Sequence, residues 1–414
     1  QTYDVTKYLQ AGENEIAIWL GDGWFKGRLG FDGGYTNLYG EYCCAIGELY
    51  LGIETKPIVC TDESWEYCKS PILESNIYDG EVYDARVEGA LKEQDVWKEV
   101  ALRSPEKCGA LGDRYSLPIV KHEEFHPELI QTPKKEMVLD FGQNLTGWVE
   151  IDAELSKGMT VTLSASEILQ DECFYRENLR TAKAEFTYIS NGKKAHGRPH
   201  FTFYGFRYMK VEIKSLDGKD VTEEWITKIS FTAYHLRSDF EQIGDITTGD
   251  SKVNQLFSNA LWGQKDNFLD VPTDCPQRDE RLGWTGDAQI FSETCYNMYM
   301  PAFYRKYLWD MRAEQSVLEG SVPNVVPRLK EGMVSEHGSC PWADAGVIIP
   351  WNVYRQYGNR TLLAECYPGM KAWVDCQRKK EEALGGAHLI KNGFHFADWL
   401  ALDNEQPGPF GATD

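Results

Sequence analysis

The sequence predicts a multidomain β + α protein in which two antiparallel β-sandwich domains precede a helical domain. Its 414 residues are enough for two to four domains at about 100–200 residues each. Apolar residues alternate with a period of two in the first part of the chain, and they recur at helical spacing after about residue 239. We therefore expect domains at residues 1–120, 121–238 and 239–414.

The β-sandwich predictions rest on short alternating runs separated by turn residues. In the first domain, residues 15–20 place Ile16, Ile18 and Leu20 at every second position, and Gly- and Asp-rich turns follow. Long helical periodicity is missing from both regions, which favours antiparallel sandwiches. In the second domain, strands are predicted at residues 147–151, 160–164, 184–189 and 206–213.

The helical prediction begins with one apolar stripe, formed by Val253, Leu256, Phe257, Ala260, Leu261 and Phe268. Further helices are predicted at residues 287–299, 302–318, 343–357 and 360–384. The last of them should be interrupted or kinked at Pro368 and Gly369. About five helices bury their apolar faces only if more follow, and the chain does not begin with Met, so we expect a fragment incomplete at both ends.

Composition excludes several classes of partner. The formal net charge of −21 repels polyanions, so nucleic acid and anionic membranes are poor partners. No apolar stretch approaches the ~18–20 residues that span a bilayer. The 11 cysteines include no CxxC pair and indicate reduced thiols, which slightly favours the cytoplasm and leaves the periplasm open. The oligomeric state cannot be read from the sequence.

Acidic residues and arginines are most concentrated in residues 270–287, a predicted loop that contains Gly and Pro and lies between two predicted helices. A cluster of carboxylates around arginines lets one carboxyl group act as a general acid while its neighbours stay charged. A solvated acidic loop is the alternative, and composition alone does not decide between the two. The charged residues of the loop include Asp274, Arg278, Asp279, Glu280, Arg281 and Asp287.

Tryptophans add a second sign of a sugar site. Aromatic rings stack on the apolar faces of sugars, and 13% of the residues are aromatic. Core packing explains each tryptophan about equally well when it is taken singly. Those in or beside predicted loops of the helical domain are Trp284, Trp342, Trp351 and Trp399, and three of them neighbour the acids Asp287, Asp344 and Asp398.

One motif points elsewhere. Residues 122–126 match HExxH, the zinc-protease pattern, which requires a helix. Pro118 and Pro127 flank the match and make a helix there improbable. We interpret it as a chance match, keep a metalloprotease as a distant alternative, and predict neither a metal site nor a cofactor.

The string at residues 274–287, DCPQRDERLGWTGD, resembles the signature of bacterial α-L-rhamnosidases of glycoside hydrolase family 78. Residues 20–30, 140–148 and 198–208 resemble β-sandwich segments that precede the catalytic domain in that family. The resemblance implies jelly-roll-like sandwiches followed by part of an (α/α)6 barrel. It also implies an inverting enzyme that releases terminal α-L-rhamnose from glycosides or polysaccharides.

Residue by residue, the resemblance implies that Glu280 is the general acid. It implies that Trp342 and Trp399 form aromatic walls, whereas Asp279 matches no functional position. The residues implied to hold the rhamnose ring are Asp274, Arg278, Trp284 and Asp287.

The resemblance also identifies a missing part. Inversion requires a second carboxylate as general base, and in the family this residue comes from the second half of the barrel, beyond Asp414. We therefore expect residues 1–414 alone to be inactive. Two alternatives stay open: a catalytically inactive carbohydrate-binding relative, and an (α/α)6 glycosidase for a different sugar.

Overall fold

The computed structural model describes residues 2–92, 96–103, 116–329, 338–390, 395–396 and 399–400. The chain divides into two compact units. The first consists of Gln1–Arg114, Glu123–His235 and Gln277–Asp279, and the second of Tyr115–His122, Leu236–Pro276 and Glu280–Asp414. The division into three domains at residues 120 and 238 stays a prediction.

Strands dominate the chain up to Ser238. In chain order they are β1 Glu48–Leu49, β2 Val59–Cys60, β3 Glu66–Tyr67, β4 Ile72–Asn76, β5 Gly80–Asp84, β6 Lys98–Glu99, β7 Ile119–Phe125, β8 Glu128–Gln131, β9 Met137–Glu154, β10 Thr160–Ser166, β11 Leu169–Gln170, β12 Cys173–Phe174, β13 Glu185–Ile189, β14 Lys194–Gly197, β15 Tyr204–Lys214 and β16 Ser230–Ser238. Short α-helices occur at α1 Gly23–Lys26 and α2 Thr222–Trp225. The 3₁₀ helices up to this point are Thr6–Tyr8, Ala85–Lys92, Glu177–Leu179 and Ile226–Lys228.

One large sheet contains most of the longer strands, in the order β4-β5-β13-β10-β15-β9-β16-β7, with β8 and β14 also paired to β9. From β4 to β16, and for β8 and β14, the pairs are antiparallel except for β13 and β5, which run parallel with Glu185 opposite Gly80. Side chains alternate across the sheet, so Phe186 and Tyr188 of β13 are both buried. All four strands predicted between residues 121 and 238 are confirmed.

The first 103 residues form less regular structure than the sequence suggests. Residues 15–20 alternate but form no strand, and Ile16 and Trp19 are 44% and 42% exposed. Alternation yields a strand only where a partner supplies backbone hydrogen bonds, and no described strand pairs with this run. The prediction of a strand there is wrong. By contrast, β4 and β5 join the large sheet.

Helices dominate the second unit. They are α3 Ser251–Asn267, α4 Thr285–Phe291, α5 Pro301–Val317, α6 Ala345–Tyr357 and α7 Arg360–Ala383, with two short strands, β17 Phe268–Leu269 and β18 Val271–Pro272, and 3₁₀ turns at Cys295–Asn297 and Trp342–Asp344. Asp250 caps α3 by accepting from the Lys252 N–H, and Asn359 caps α7 by accepting from the Leu362 N–H. Four predicted helices agree within about two residues, whereas α4 ends earlier than expected.

Helix α7 continues through Pro368 without interruption. A proline inside a helix removes one N–H donor and leaves nearby carbonyl groups in need of another partner. Two side chains of α5 supply donors there: Arg312 donates to the Glu365 carbonyl, and Gln315 donates to the Gly369 carbonyl at 3.0 Å. These bonds link α5 to α7 on both sides of the proline.

Aromatic rings form much of the buried core of the second unit. Phe268 stacks on Phe303 with ring centroids 4.9 Å apart, and Phe240 meets Phe303 edge-on at 6.2 Å. Trp373 of α7 is buried and donates through its indole N–H to Asp344 at 2.8 Å. Among the described residues, no helix is both long enough and apolar enough to cross a bilayer.

Candidate active site

The acidic loop begins after the short hairpin of β17 and β18 and ends where α4 starts. Asp274 closes it twice: its backbone N–H donates to the Leu282 carbonyl at 3.0 Å, and its Oδ1 accepts from the Leu282 N–H at 2.8 Å. The loop is therefore fixed at its base by one residue that the resemblance assigns to sugar binding. That assignment stays a prediction, because the structure shows a structural use of one Asp274 oxygen.

Glu280 lies within this closed loop and is 8% exposed. Its φ is +147°, and the next residue, the fully buried Arg281, has a φ of +48°. Such conformations cost roughly 1–3 kcal/mol each for side chains other than glycine, and they persist where surrounding contacts enforce them. Two consecutive residues thus hold an unfavourable backbone at the predicted general acid, which no sequence pattern indicated.

Trp284 fixes one oxygen of that carboxyl group. Its indole Nε1–H donates to Glu280 Oε1 at 2.9 Å. An indole N–H can only donate, so it fixes the orientation of the carboxyl group from one side. Oε2 is the remaining oxygen of the same group.

The glycines beside Trp284 allow close packing that any side chain would prevent. A Cβ on Gly283 would lie 2.2 Å from the Val326 carbonyl oxygen, and one on Gly286 would lie 2.6 Å from the Trp342 indole. The hydroxyl of Thr285 also donates to the Asn324 carbonyl at 2.9 Å. Packing therefore accounts for the string Gly-Trp-Thr-Gly at the start of α4.

Three of the predicted tryptophans come together around a residue that the sequence analysis did not select, Phe396. Its ring centroid lies 4.5 Å from Trp342, 5.6 Å from Trp284 and 5.7 Å from Trp399. Phe396 is 4% exposed and Trp399 is 45% exposed. The only sequence signal for Phe396 was its place three residues before Trp399.

The remaining predicted residues differ in their surroundings. Asp287 lies exposed in the first turn of α4. Burial raises the pKa of the Tyr307 hydroxyl well above its usual value, and the negative charge of Asp287 raises it further. Arg278 is counted with the first unit, so its predicted contact with rhamnose stays a prediction. Asp344 accepts from buried Trp373, and Asp398 lies outside the described residues.

Cys275 lies beside the predicted general acid. Within the described parts of the chain, Asp274, Cys275 and Glu280 form the one group of possible metal ligands whose donor atoms converge, all within 4.8 Å of one another. A thiol between two carboxylates does not match the all-oxygen sets of Ca²⁺ or Mg²⁺. The absence of a metal site stays a prediction.

Asp279, directly before Glu280, has a different environment. It is fully buried in the first unit, where its Oδ2 accepts from the Thr181 hydroxyl at 2.5 Å and from the Gly33 N–H at 3.3 Å. The Arg180 guanidinium lies 3.9 Å from Oδ1. These contacts compensate a buried negative charge and give Asp279 a structural role that the sequence analysis did not assign.

The HExxH match lies on a strand. Residues 119–125 form β7 rather than a helix, His122 lies 3.9 Å from Asp239, and His126 is 72% exposed beside Glu124. The helical face that would bring two histidines to one zinc ion is therefore not formed. The interpretation as a chance match agrees with this geometry.

Consecutive regions of the chain match three models of α-L-rhamnosidase domains. Residues 1–123 match the α-L-rhamnosidase N-terminal domain, 130–232 the bacterial α-L-rhamnosidase concanavalin-like domain, and 241–413 the bacterial α-L-rhamnosidase six-hairpin glycosidase domain. The chain belongs to the bacterial α-L-rhamnosidase family. The family predicted from residues 274–287 is thus confirmed, as is a β-rich part followed by the helical part of a barrel.

Similar proteins extend over the whole chain. An α-L-rhamnosidase of Streptomyces avermitilis is 34% identical over 427 residues, which cover 100% of this chain and 39% of that protein. The solved structure of an α-L-rhamnosidase from Aspergillus terreus aligns with a TM-score of 0.79 at 33% identity, over 95% of this chain and 46% of that one. The S. avermitilis enzyme complexed with L-rhamnose aligns with a TM-score of 0.78 at 30% identity, over 93% of this chain and 37% of that one.

The chain spans about 40% of the length of the curated rhamnosidases that it matches, since it covers 39%, 42% and 44% of three of them. All three are α-L-rhamnosidases by name. The predicted acid loop and the aromatic group around Phe396 both lie in residues 241–413, the region that matches the glycosidase domain.

Proposed function

We propose that the polypeptide carrying this chain is an inverting glycoside hydrolase that releases terminal α-L-rhamnose from glycosides or polysaccharides, with Glu280 as general acid. The observation that carries the proposal is the carboxyl group of Glu280, nearly buried and held by the Trp284 indole in the loop whose sequence carries the family resemblance. Membership of the family and the L-rhamnose complex of a relative support the choice of sugar.

The geometry suggests how the acid works. A glycosidic oxygen leaves more easily when a proton reaches it as the bond breaks. In this proposal Glu280 carries the proton and gives it to the leaving oxygen, while the Trp284 indole holds the carboxyl group through Oε1. The strained backbone at Glu280 and Arg281 is typical of residues fixed at functional sites.

Binding of the sugar falls to the remaining predicted residues. Exposed parts of Trp342 and Trp399 stack against the apolar face of the ring. Carboxylates and the guanidinium group accept from and donate to the sugar hydroxyl groups. The residues in these polar roles are Asp274, Arg278 and Asp287, and Trp284 completes the wall.

The general base completes the mechanism. An inverting enzyme places it about 6.5–9.5 Å from the acid, with a water molecule between the base and the anomeric carbon. We place this base C-terminal to Asp414, in the rest of the barrel. Residues 1–414 alone would then bind the sugar poorly and not hydrolyse it.

The test is hydrolysis of an aryl α-L-rhamnoside by the longer polypeptide, beside residues 1–414 and beside a panel of other aryl glycosides. We expect turnover of the rhamnoside by the longer polypeptide only, with β-L-rhamnose as the first product seen by NMR. Turnover of a different sugar would favour another barrel glycosidase. Sugar binding without any turnover would indicate a carbohydrate-binding relative, and full activity of residues 1–414 would refute the placement of the base.

A further inference from the structure

Phe396 contacts three tryptophans of the predicted sugar site. Its ring contacts Trp342 at a tilt of 39°, and it meets Trp284 and Trp399 edge-on at 77° and 87°. Edge-on and tilted contacts at these distances are favourable beyond the burial of area. One ring thus contacts three indoles at once.

The exposure of these rings separates their roles. Phe396 is 4% exposed whereas Trp399 is 45% exposed, and both Trp284 and Trp342 are half-buried. A sugar can therefore reach the tryptophans but not the phenylalanine behind them. The indoles therefore offer Phe396 a route by which it can affect a bound sugar.

Two further contacts limit how the indoles can move. Trp342 packs against Gly286, where a Cβ would approach its ring to 2.6 Å, so it cannot shift toward α4. His395, next to Phe396, lies 3.4 Å from the Cys340 carbonyl through Nδ1, so residues 395–396 contact the segment at 340–342 twice. Trp284, in turn, holds Glu280 Oε1 at 2.9 Å.

We propose that Phe396 is a positioning residue of the active site, whose ring orients Trp342 and Trp399 against the sugar and, through Trp284, orients the carboxyl group of Glu280. This inference rests on the proposed function. It adds a residue that touches neither substrate nor the reacting atoms, and it predicts that an aliphatic side chain at this position cannot replace the ring, because it offers no ring edge to the indoles.

The test compares Phe396→Leu with Phe303→Leu in the longer polypeptide. Phe303 is a matched control, because it is 2% exposed and also contacts three rings, those of Phe268, Phe240 and Tyr304. Both variants should lower the melting temperature to a similar extent. Only F396L should also weaken L-rhamnose binding and lower kcat on substrates with poor leaving groups, by about tenfold or more, since small misplacements in an active site cost up to about 10²-fold.

Two readouts separate positioning from general loss of stability. The indole N–H signals of Trp284, Trp342 and Trp399, assigned by single Trp→Phe variants, should move in NMR spectra of F396L and stay in place in F303L. In a double-mutant cycle with Trp284→Phe, the effect of F396L on kcat should shrink, because the path to Glu280 is already broken.

The outcomes are distinct. Unmoved indole signals, or equal L-rhamnose affinity in F396L and F303L, would overturn the role of Phe396 even if the wild type is a rhamnosidase. A wild type that binds L-rhamnose without hydrolysing it would count against the proposed function, while weaker binding in F396L alone would still support the positioning role.

Discussion

Two adjacent segments of one loop, residues 277–279 and residues 280–287, carry acids of similar chemistry in different surroundings. Asp279 is fully buried and bonded to a hydroxyl group and an N–H of the first unit. Glu280 is 8% exposed, has a φ of +147° and is bonded to an indole of the second unit. The peptide bond between them joins the two units.

The comparison shows that two neighbouring acids of similar type and burial can have very different partners. Asp279 faces three groups that compensate its charge, including Arg180 at 3.9 Å, so it serves as a fixed acceptor. Glu280 combines a strained backbone with an aromatic wall, as active-site residues commonly do. Asp279 is therefore held as a structural acceptor, whereas Glu280 is the acid to which we assign the chemistry in our proposal.

The largest effect should follow from Glu280→Gln in the longer polypeptide. The amide keeps the shape of the side chain but cannot donate a proton to the leaving oxygen, so kcat on alkyl rhamnosides should fall by about 10²–10⁴-fold. Aryl substrates with good leaving groups should lose much less, and L-rhamnose affinity should change little. Steady-state kinetics on both substrate types measure this, with Glu293→Gln, an exposed glutamate of the same unit, as the control. Undiminished hydrolysis of the alkyl glycoside would remove Glu280 from its role.

Asp279→Ala should act on stability instead. It leaves the Thr181 hydroxyl and the Gly33 N–H without this acceptor, and an unsatisfied buried group costs about 1–3 kcal/mol. We expect a lower melting temperature by calorimetry, with kcat of the folded protein reduced less than in E280Q. Glu63→Ala, at an exposed acid of the first unit, should be neutral. If D279A instead lost activity as completely as E280Q at unchanged stability, the division of roles between the two acids would be wrong.

The sequence predicted more of the fold than of the site's geometry. Strong local periods predicted the helices at residues 251–267 and 301–317 and the central strands correctly, because a long amphipathic run has one way to bury its apolar face. Residues 15–20 failed because a strand also depends on a partner far away in sequence, which alternation does not reveal. The interruption expected at Pro368 does not occur, and the hydrogen bonds from α5 beside it are tertiary contacts that the local sequence does not reveal.

The sequence predicted which residues belong to the site but not how they contact one another. The motif selected Glu280 and Trp284, but their hydrogen bond and the positive φ at Glu280 depend on how the loop closes through Asp274 and Leu282. Phe396 was missed because nothing in its local sequence distinguishes a buried ring behind three tryptophans from an ordinary core residue. Such information is three-dimensional and appears only when distant segments meet.

Gly286→Ala should have an intermediate effect and test the packing of residues 280–287. Its Cβ would lie 2.6 Å from the Trp342 indole, and overpacking of this kind costs about 1–3 kcal/mol. We expect weaker L-rhamnose binding by calorimetry together with a lower melting temperature. Gly263→Ala is the matched control, because this glycine of α3 has open space around its Cβ position and the substitution should stabilise the helix by about 0.5–1 kcal/mol. Equal sugar affinity in the two variants would show that Trp342 is not held by Gly286.

The smallest effect concerns pH and extends the comparison to a second structural acid, Asp140. Arg207 donates to both of its oxygens at 2.8 and 2.9 Å, and these bonds hold the pKa of Asp140 below its usual value. Because the pKa is lower in the folded state, the pair stabilises the protein above the unfolded pKa of about 3.9, and this contribution is lost as pH falls through the folded pKa. The pair is partly exposed, so solvent screening limits the effect to below about 1 kcal/mol.

Asp140→Asn should therefore destabilise the protein slightly at pH 7, and the difference should shrink as the pH falls through the folded pKa, as measured by urea unfolding from neutral to acidic pH. If structural acids and the catalytic acid are separate, D140N should leave the pH dependence of kcat/KM unchanged, whereas E280Q should remove the limb that reports the general acid. Arg207→Met should reproduce the stability profile of D140N. A shift of the pH–rate profile in D140N would mean that acids of the large sheet influence the reaction, and the contrast between anchoring and catalytic carboxylates would no longer hold.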